Sequence, residues 1–411
     1  MERRTDGTGC RSFNVVLPQA PGFNVGMAAV DLGLVAAFHK LGFEAVPWRI
    51  GALKDRALKQ APDLDSQAEM GVGRAETIRD DWPKGLADPI LYWGDFHHQA
   101  QYVDAVGRII GARTGGHSAA RRYLLLDGVS TEIKERSASF GTTLIFNGIR
   151  DFLGGDYTNA LKEFLGNNST TFFRDPISTT LVRRWRDSGV IGTGVDPALI
   201  LESDQIPQTY LSSGSVGVFF GRSEETHPGL WEIAIRLAKE NTARLEWLDW
   251  GDLRGFPQMS IPEQVHRMKP LGSTTAMDVL SHLASCSAVV TDSYHAALIS
   301  WRLGIPAVTV TAPVSPVDMP VNSGGRWSWR DKRELAASQY GALDLVVRPE
   351  ELDDVDRLNG RIDHILDLFR GEAAMSFIRT QIETEVETSL AAFATQLEGS
   401  RAREDKHPRP A

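Results

Sequence analysis

The sequence predicts an α/β protein with two doubly wound, Rossmann-like domains that face a cleft, followed by C-terminal helices. Three observations lead to this fold class. The chain has 411 residues, the usual length of two domains. Apolar runs of strand length alternate with segments of helical periodicity, which is typical of parallel sheets with crossover helices. This alternation occurs twice, on either side of the polar segment ESDQIPQTYLSS at 202–213, which is interpreted as a linker.

The first half begins in the order strand, helix, strand. An apolar run at 14–17 precedes residues that recur at the spacing of one helix face, and Gly42 follows the last of them. This pattern predicts a helix from about Met27 to Leu41. A further helix is predicted after Ser178. Strands are also predicted at 44–48, 90–93, 123–126, 144–146 and 171–173. These elements together predict an N-terminal domain over 1–205.

The second half repeats the order and then becomes helical. Strands are predicted at 216–220, 245–248, 288–291 and 307–310, and helices at 229–239, 276–285 and 294–303. They predict a C-terminal domain over 206–350. Two apolar stripes of helical spacing follow, so helices are expected over 351–398. The charged segment 399–411 lacks large apolar residues and is expected to be disordered.

Composition and charge argue against several functional classes. The chain has 44 basic and 53 acidic residues, and a net charge of −9 argues against a nucleic-acid partner. No run approaches the ~18 apolar residues of a membrane span, so none is expected. No apolar stretch follows the N-terminal MERRTDGTGC, which predicts a cytoplasmic protein. Cys10 and Cys286 form neither a disulfide framework nor a metal cluster, and no metal is expected. Nothing in the sequence indicates an oligomeric state.

The segment AVVTDSYHAALISWRLGIPAVTV, residues 288–310, is the most informative about function. An apolar strand ends at Thr291, and Asp292 and Ser293 are residue types that cap helices. A helix follows, so His295 lies in its first turn. The N-terminus of a helix carries unpaired N–H groups and about half a positive charge, which suits a phosphate or a carboxylate. The segment therefore predicts an anion site that contains a histidine.

Ser293-Tyr294-His295 at this junction resembles the signature of the polysaccharide pyruvyl transferase family. Many members of that family carry Arg-Leu-His there, and another branch carries Ser-Phe-His or Ser-Tyr-His. The chain is similar to the second branch. It lacks the arginine of the first branch, which leaves open the cation that holds the charge of the donor substrate.

Two more segments extend the resemblance over about residues 14–310. Residues 172–201 resemble the family's second landmark, a strand that ends in Arg174-Asp175 and is followed by a serine, a helix and Asp196-Pro197-Ala198. Near the start, Asn24-Val25-Gly26-Met27 resembles the family's Asn-x-Gly-Asp turn, with methionine where aspartate is common. The order and spacing of the landmarks carry more weight than any one of them.

The resemblance implies a GT-B-like transferase that moves a pyruvyl group from phosphoenolpyruvate onto a sugar of a glycan or glycan precursor. The product is a ketal, and the implied process is cell-envelope or exopolysaccharide biosynthesis. The partners would be phosphoenolpyruvate, as a co-substrate, and a saccharide acceptor, with no other cofactor. The N-terminal domain would bind the acceptor and the C-terminal domain the donor.

The resemblance also implies roles for individual residues. His295 would be the acid–base or phosphate-contacting residue, and Arg174 the main clamp on the anionic groups of the donor. Lys332 is a further candidate contact for an anion. The substrate-binding residues would be Asp292, Ser293, Asn24, Gly26, Trp93, Asp95, Arg326 and Arg330.

Structural alternatives remain open for several of these residues. His295 could cap its helix, Arg174 could pair with Asp175 or Asp196, and Trp93 could be a packed strand end. His97 and His98 suggest a metal site, but adjacent histidines on a strand point to opposite faces and rarely bind one ion.

Two other functions also remain open. One is a nucleotide-sugar-dependent glycosyltransferase of the same architecture, because the fold alone does not select the reaction. The other is a family member that binds a sugar or phosphate without catalysis, which the changes at Met27 and Ser293 would allow.

Overall fold

Two parallel β-sheets, with helices between their strands, form the framework of the protein in a computed structural model. The chain divides into two units. Unit 1 comprises Met1–Pro21, Val30–Ile200 and Glu387–Ala411, and unit 2 comprises Gly22–Ala29 and Leu201–Val386. The structure describes residues 11–17, 24–50, 76–78, 89–94, 97–111, 115–144, 155–183, 190–206, 214–220, 228–250, 262–267, 275–311 and 331–406.

Unit 1 contains a sheet of seven strands. Its strands are β1 (Arg11–Val16), β2 (Phe43–Ile50), β3 (Glu76–Ile78), β4 (Ile90–Trp93), β5 (Ala138–Thr142), β6 (Thr170–Phe173) and β7 (Val190–Thr193). They pair in the order β3-β2-β1-β4-β5-β6-β7, and every pair is parallel. The helices of this half are α1 (Val25–Leu41), α2 (Ala100–Gly111), α3 (Gly116–Leu125), α4 (Thr131–Glu135), α5 (Asp156–Asn167) and α6 (Pro176–Arg183).

Unit 2 contains a sheet of six strands. They are β8 (Val216–Phe219), β9 (Leu245–Trp247), β10 (Val265–Arg267), β11 (Ala288–Thr291), β12 (Ala307–Val310) and β13 (Val346–Val347). They pair in the order β10-β9-β8-β11-β12-β13, again all parallel. The helices that follow β8 are α7 (Pro228–Glu240), α8 (Ala276–Ser285), α9 (Tyr294–Arg302), α10 (Lys332–Tyr340), α11 (Pro349–Leu352), α12 (Val355–Arg370) and α13 (Glu372–Lys406).

The long C-terminal helix α13 shows how an apolar stripe is used. Residues at a spacing of about four along it are buried, from Ile378 to Leu397. In unit 1, Phe393 packs against Phe140 and Phe172, with ring centroids 5.0 and 5.4 Å apart. Of the helices that the structure describes, none has the length and the apolar content that crossing a lipid bilayer requires.

The core strands are buried on both faces, as parallel strands usually are. All four residues of β4, of β8 and of β11 are buried. Between α8 and β11 lies Cys286, whose side chain is also buried, and its burial raises the pKa of the thiol to about 12. A reciprocal capping box between Thr275 and Asp278 begins α8.

Three predicted elements differ from the structure. The run 123–126, predicted as a strand, forms the last residues of α3 and its C-cap Leu126, and all four residues are buried. A short apolar run does not by itself distinguish a strand from a buried helix. In place of the strand predicted at 144–146, β5 lies earlier in the chain, and residues 145–146 lie outside the described residues. The last helix continues to Lys406, into the segment predicted to be disordered, because Arg, Ala, Glu and Lys favour helices.

The division into units also differs in detail from the predicted domains. It lies between Ile200 and Leu201, whereas the sequence predicts a boundary after residue 205. Helices α1 and α13 each contribute residues to both units. The predicted fold class, two Rossmann-like α/β units, is confirmed.

Candidate functional site

The junction between β11 and α9 in unit 2 contains several of the predicted site residues. β11 ends at Thr291, and α9 begins at Tyr294 after Asp292 and Ser293. The Thr291 hydroxyl donates to the Phe219 carbonyl oxygen over 2.8 Å and accepts from the Ser293 backbone N–H over 3.0 Å. The turn is therefore fixed by Thr291 and the backbone, without use of the Ser293 hydroxyl.

Ser293 occupies the N-cap position of α9 but does not cap the helix. Its backbone is extended, with φ −88° and ψ 125°, and its side chain accepts no hydrogen bond from the first turn. Its Oγ is fully buried and has no hydrogen-bond partner among the residues that the structure describes. Buried polar atoms normally have a partner, so this hydroxyl is available to a ligand.

His295 lies in the first turn of α9 and packs against the first turn of α1. Its side chain is buried, as is the neighbouring Gly26. A Cβ atom added to Gly26 would lie 2.4 Å from Nδ1 of His295 and 2.7 Å from its Cβ. Such distances are too short for any real contact, so the position of His295 requires glycine at position 26.

The first turn of α1 is itself held in place within unit 2. Asn24 caps the helix, because its Oδ1 accepts from the Met27 N–H over 3.2 Å. The Val25 N–H donates to the Trp250 carbonyl oxygen over 3.2 Å. Trp250 was not predicted as a site residue, although its position just after the predicted strand 245–248 could have indicated it. The structure thus brings together His295, Ser293, Asp292, Gly26 and Asn24 within one unit.

These residues lie where the strand order of the second sheet reverses. β8 pairs with β9 on one side and with β11 on the other. The Asp292 N–H donates to the Phe219 carbonyl oxygen over 3.3 Å, which joins the carboxyl ends of β8 and β11. Open α/β sheets bind their ligands outside the carboxyl ends of the strands at such a reversal. The position of the junction therefore supports a ligand site independently of the histidine motif.

A lysine side chain lies close to the same junction. Lys332 is the first residue of α10, and its Nζ lies 4.8 Å from the centroid of the Tyr294 ring. The centroid of the Tyr294 ring is 5.1 Å from that of the His295 ring. An ammonium group, a phenol ring and an imidazole thus follow one another beside the N-terminus of α9.

Arg174 belongs to unit 1 and forms an ion pair there. Its Nη1 donates to Oδ2 of Asp196 over 2.8 Å, and both side chains are almost fully buried. The other carboxylate oxygen of Asp196 accepts from the Ala198 N–H over 3.0 Å. Arg174 follows β6, two strands away from β4, where the order of the first sheet reverses. The ion pair left open as an alternative is therefore present, and the role of Arg174 as a donor clamp stays a prediction.

Asp175 fills the N-terminus of α6 with its own carboxylate. One oxygen accepts from the Ser178 N–H over 2.7 Å. The other accepts from the hydroxyls of Ser178 and Thr143, each over 2.7 Å. The serine three residues after Asp175, part of the second landmark, thus has a structural explanation that needs no ligand.

Trp93 lies in the core of unit 1. Its ring stacks on Phe140 at 5.1 Å and meets the edge of Phe38 at 6.2 Å, and its Nε1 donates to the Val30 carbonyl oxygen over 3.1 Å. With 1% of the residue exposed, the expectation that Trp93 stacks on a sugar is not met. A strand-end position in the sequence does not reveal how deeply the side chain is packed. Three further predicted site residues lie outside the described residues: Asp95, Arg326 and Arg330.

His98 is an enclosed, neutral histidine. Its Nδ1 lies 3.0 Å from the Leu124 carbonyl oxygen, which only accepts, so Nδ1 carries the proton and Nε2 accepts from Ser139 Oγ over 2.7 Å. Burial, and secondarily the nearby His97, lower the pKa of His98 to about 3. Both nitrogens are thus engaged within the protein. Among the described residues, no group of three His, Cys, Asp or Glu side chains is placed to hold a metal ion.

Comparisons with known proteins bear on both the site and the fold. A model of the family "polysaccharide pyruvyl transferase" matches residues 25–312, from the first turn of α1 to just beyond β12. The matched range contains Gly26, the junction residues of α9 and Arg174. No curated protein matches the sequence.

Solved structures share the fold at low sequence identity. A putative UDP-N-acetylglucosamine 2-epimerase from Listeria monocytogenes is 13% identical, with a TM-score of 0.51 over 95% of this chain and 98% of that chain. UDP-GlcNAc 2-epimerase from Neisseria meningitidis bound to UDP-GlcNAc is 12% identical, with a TM-score of 0.49 over 95% and 100%. The Listeria similarity concerns the fold alone and agrees with the predicted fold class.

Proposed function

Since this chain belongs to the polysaccharide pyruvyl transferase family, we propose that it transfers a pyruvyl group from phosphoenolpyruvate to a sugar of a glycan or glycan precursor. Phosphoenolpyruvate serves as co-substrate, no further cofactor takes part, and the reaction runs in the cytoplasm as a step of cell-envelope or exopolysaccharide biosynthesis. The observation that carries the proposal is the buried His295 in the first turn of α9, at the reversal of the second sheet.

Phosphoenolpyruvate matches the chemistry of this junction. It is a small anion with a phosphate and a carboxylate, and the first N–H groups of a helix favour such groups. The Ser293 hydroxyl, which does not cap the helix, can donate one more hydrogen bond to an anionic oxygen. Gly26 leaves room for His295 to stand directly beside these donors.

The proposed reaction has two additions at one carbon. The methylene carbon of phosphoenolpyruvate takes a proton, and positive charge develops at the neighbouring carbon that bears the phosphate ester. One sugar hydroxyl adds to that carbon and loses its proton. A second hydroxyl of the same sugar then displaces the phosphate from that carbon. The proton of this second hydroxyl is transferred to the departing phosphate. The two hydroxyl protons account for the new methyl hydrogen and the proton on the released phosphate.

His295 is assigned the proton transfers. An imidazole exchanges protons near neutral pH, which suits an acid that protonates the methylene carbon and a base that accepts a hydroxyl proton. Groups that exclude water matter here, because water would attack the same carbon and release pyruvate instead of the ketal. The buried environment of His295 agrees with this requirement.

The test is phosphate release from phosphoenolpyruvate in the presence of a panel of sugar acceptors. We expect acceptor-dependent release by the wild-type protein and its loss in a folded His295→Ala variant. His266→Ala is the matched control, because His266 lies in the same unit on β10 and is exposed. The melting temperature of each variant separates lost chemistry from unfolding.

Ligand stabilisation distinguishes the proposal from its alternatives. Stabilisation by phosphoenolpyruvate without release of phosphate would have one of two explanations: the panel lacks the acceptor, or the protein is a family member that binds without catalysis. A wider panel of acceptors separates these two explanations. Stabilisation by nucleotide sugars, with none by phosphoenolpyruvate, would overturn the proposal in favour of a glycosyltransferase.

A further inference from the structure

We propose that the hydroxyls of Thr309 and Thr311, at the carboxyl end of β12, bind the carboxylate of phosphoenolpyruvate. The inference deepens the proposed function and rests on it. It concerns the second anionic group of the donor, because the N-terminus of α9 suits a phosphate and the carboxylate needs hydrogen-bond donors of its own. Neither threonine was predicted as a site residue.

The two threonine side chains are enclosed by the protein. Thr309 is 0% exposed and Thr311 is 2% exposed. The Oγ1 atom of each is buried and has no hydrogen-bond partner among the residues that the structure describes. Buried polar atoms normally have a partner, because enclosing one without a hydrogen bond is unfavourable. Two such hydroxyls, two residues apart on one strand, therefore indicate a ligand.

Other buried hydroxyls nearby are engaged within the protein. Those of Thr291 and Ser300 each donate to a backbone carbonyl oxygen over 2.8 Å. In the described part of unit 2, the buried hydroxyls without a partner are those of Ser293, Thr309 and Thr311. All three follow or end β11 and β12, which pair with each other. The unpartnered hydroxyls are thus confined to the carboxyl ends of two neighbouring strands.

The strand register places both threonines beside the β11–α9 junction. Thr309 pairs with Thr291, the last residue of β11. Thr311 continues the ladder to the next strand, because its N–H donates to the Val347 carbonyl oxygen over 3.0 Å. Side chains alternate along a strand, so Thr309 and Thr311 lie on the same face as Thr291. Neighbouring strands are about 4.8 Å apart, which puts this face of β12 one strand away from the start of α9.

The size of phosphoenolpyruvate matches this arrangement. Its carboxylate and its phosphate ester are bonded to the same carbon, so the two anionic groups lie close together. A phosphate at the N-terminus of α9 would therefore bring the carboxylate within reach of the end of the adjacent strand β12. The two hydroxyls can each donate to one oxygen of a carboxylate, a group that only accepts hydrogen bonds.

The charges at this end of β12 make direct hydrogen bonds important. The Arg333 guanidinium donates to the carbonyl oxygen of Val310, which lies between the two threonines. It also donates through Nε to Asp331 over 3.0 Å, so these two charges offset each other. The carboxylate of Asp292, buried at the junction, opposes the positive potential of the helix end. A second carboxylate therefore gains most from donors that contact it directly.

This arrangement would make the site selective for its donor substrate. A phosphate compound without a carboxylate would leave both hydroxyls enclosed and without a partner. A site whose buried polar groups match a ligand discriminates strongly against analogues that lack the matching group. The two threonines would therefore distinguish phosphoenolpyruvate from other phosphate compounds.

The test measures binding of phosphoenolpyruvate, and separately of inorganic phosphate, to the full-length protein by calorimetry. Thr309→Val and Thr311→Val each replace one hydroxyl by a methyl group of similar size. We expect each variant to weaken phosphoenolpyruvate binding by about 10- to 100-fold, the effect of one lost hydrogen bond to a charged group. Binding of inorganic phosphate, which has no carboxylate, should not change.

The melting temperature of the unliganded protein supplies a second readout. Because the hydroxyls have no partner there, the valine variants should keep the wild-type melting temperature or raise it. Thr179→Val is the matched control: the buried Thr179 hydroxyl donates to the Asp175 carbonyl oxygen over 3.1 Å, so its loss should lower the melting temperature without weakening phosphoenolpyruvate binding. Thr311→Ser keeps the hydroxyl and should bind phosphoenolpyruvate like wild type. Should a valine variant fail to fold, alanine takes its place at that position.

The outcomes separate this inference from the proposed function. Equal weakening of phosphoenolpyruvate and phosphate binding would mean that the hydroxyls contact the phosphate, and would overturn the inference. Unchanged phosphoenolpyruvate affinity in both valine variants, with acceptor-dependent phosphate release intact in wild type, overturns the inference alone. A wild-type protein that binds neither phosphoenolpyruvate nor phosphate overturns both. Weakening confined to phosphoenolpyruvate, absent in Thr179→Val and Thr311→Ser, supports the inference.

Discussion

In each of the two sheets, one strand leads into a helix through an aspartate, and these two strand-to-helix junctions are built differently. After β6 in unit 1, the carboxylate of Asp175 accepts three hydrogen bonds and fills the start of α6. After β11 in unit 2, Ser293 stands at the N-cap without capping α9. The first junction fills its helix terminus with a carboxylate, whereas the second leaves the Ser293 hydroxyl without a hydrogen-bond partner among the described residues.

The difference follows the strand order of the sheets. The junction of α9 lies at the reversal between β8 and β11, and that of α6 lies two strands away from the reversal between β1 and β4. Both segments resemble landmarks of the same family, but of the two only the junction of α9 lies at the reversal of its sheet. The resemblance of a segment to a family landmark therefore does not by itself assign that segment a functional role.

The largest expected effect comes from breaking the ion pair of unit 1. Arg174→Met leaves the buried carboxylate of Asp196 without its cation, and we expect a loss of about 3–5 kcal/mol of unfolding free energy. Chemical denaturation measures it, with the exposed Arg183→Met as control. Unchanged stability combined with lost phosphoenolpyruvate binding would instead identify Arg174 as a donor clamp.

The close contact in unit 2 is tested by Gly26→Ala. The new methyl group would overlap His295, so we expect a loss of about 1–3 kcal/mol of stability together with a lower kcat. Gly360→Ala is the control: Gly360 lies within α12 with open space around it, and we expect a gain of about 0.4–1 kcal/mol there. If Gly26→Ala matched the control in both stability and turnover, the close contact with His295 would be shown to matter for neither.

His98 makes the stability of unit 1 depend on pH. The pKa of His98 in the folded protein is about 3, below the ordinary value near 6.5, so the unfolded chain binds a proton that the folded one does not. The stabilisation is complete above about pH 6.5 and is lost as the pH falls toward 3, with a loss of roughly 2 kcal/mol already at pH 5 relative to pH 7. Denaturation at several pH values measures the slope. The slope should shrink in His98→Gln and persist in His266→Ala, and an unchanged slope in His98→Gln would contradict the assignment.

The smallest effects are expected from substitutions at the N-termini of α6 and α9, which can be compared directly. Asp175→Ala should remove about 1–2 kcal/mol of stability, because a cap and its partners lose their hydrogen bonds. Ser293→Ala should change stability by less than about 0.5 kcal/mol, since that hydroxyl caps nothing. Thermal unfolding of both variants side by side measures the contrast. Equal losses would mean that the two junctions are built alike.

Local pattern was enough to predict much of the second half of the fold. β11, β12 and α8 have the predicted bounds, because short buried strands and a capped helix leave clear marks in a sequence. The place of His295 in the first turn of its helix follows from the same marks. What could be predicted was therefore the position of a residue along its own element.

Contacts between distant segments could not be predicted in this way. Gly26 contacts His295 although the two residues lie in opposite halves of the sequence. Arg174 pairs with Asp196 because β6, which precedes Arg174, pairs with its neighbouring strands in the sheet. The burial of Trp93 depends on Phe38 and Phe140, which lie on other elements. Such contacts are set by tertiary packing, which a single sequence does not display.

The buried thiol of Cys286 offers a chemical reporter of local opening in unit 2. At pH 8 a thiol with a pKa of about 12 is ionised in roughly one molecule in ten thousand, and its burial also blocks alkylating reagents. In a Cys10→Ser background, the alkylation rate of Cys286 would therefore measure how often the segment between α8 and β11 opens to solvent. A ligand bound at the neighbouring β11–α9 junction would slow that rate in proportion to the opening it suppresses.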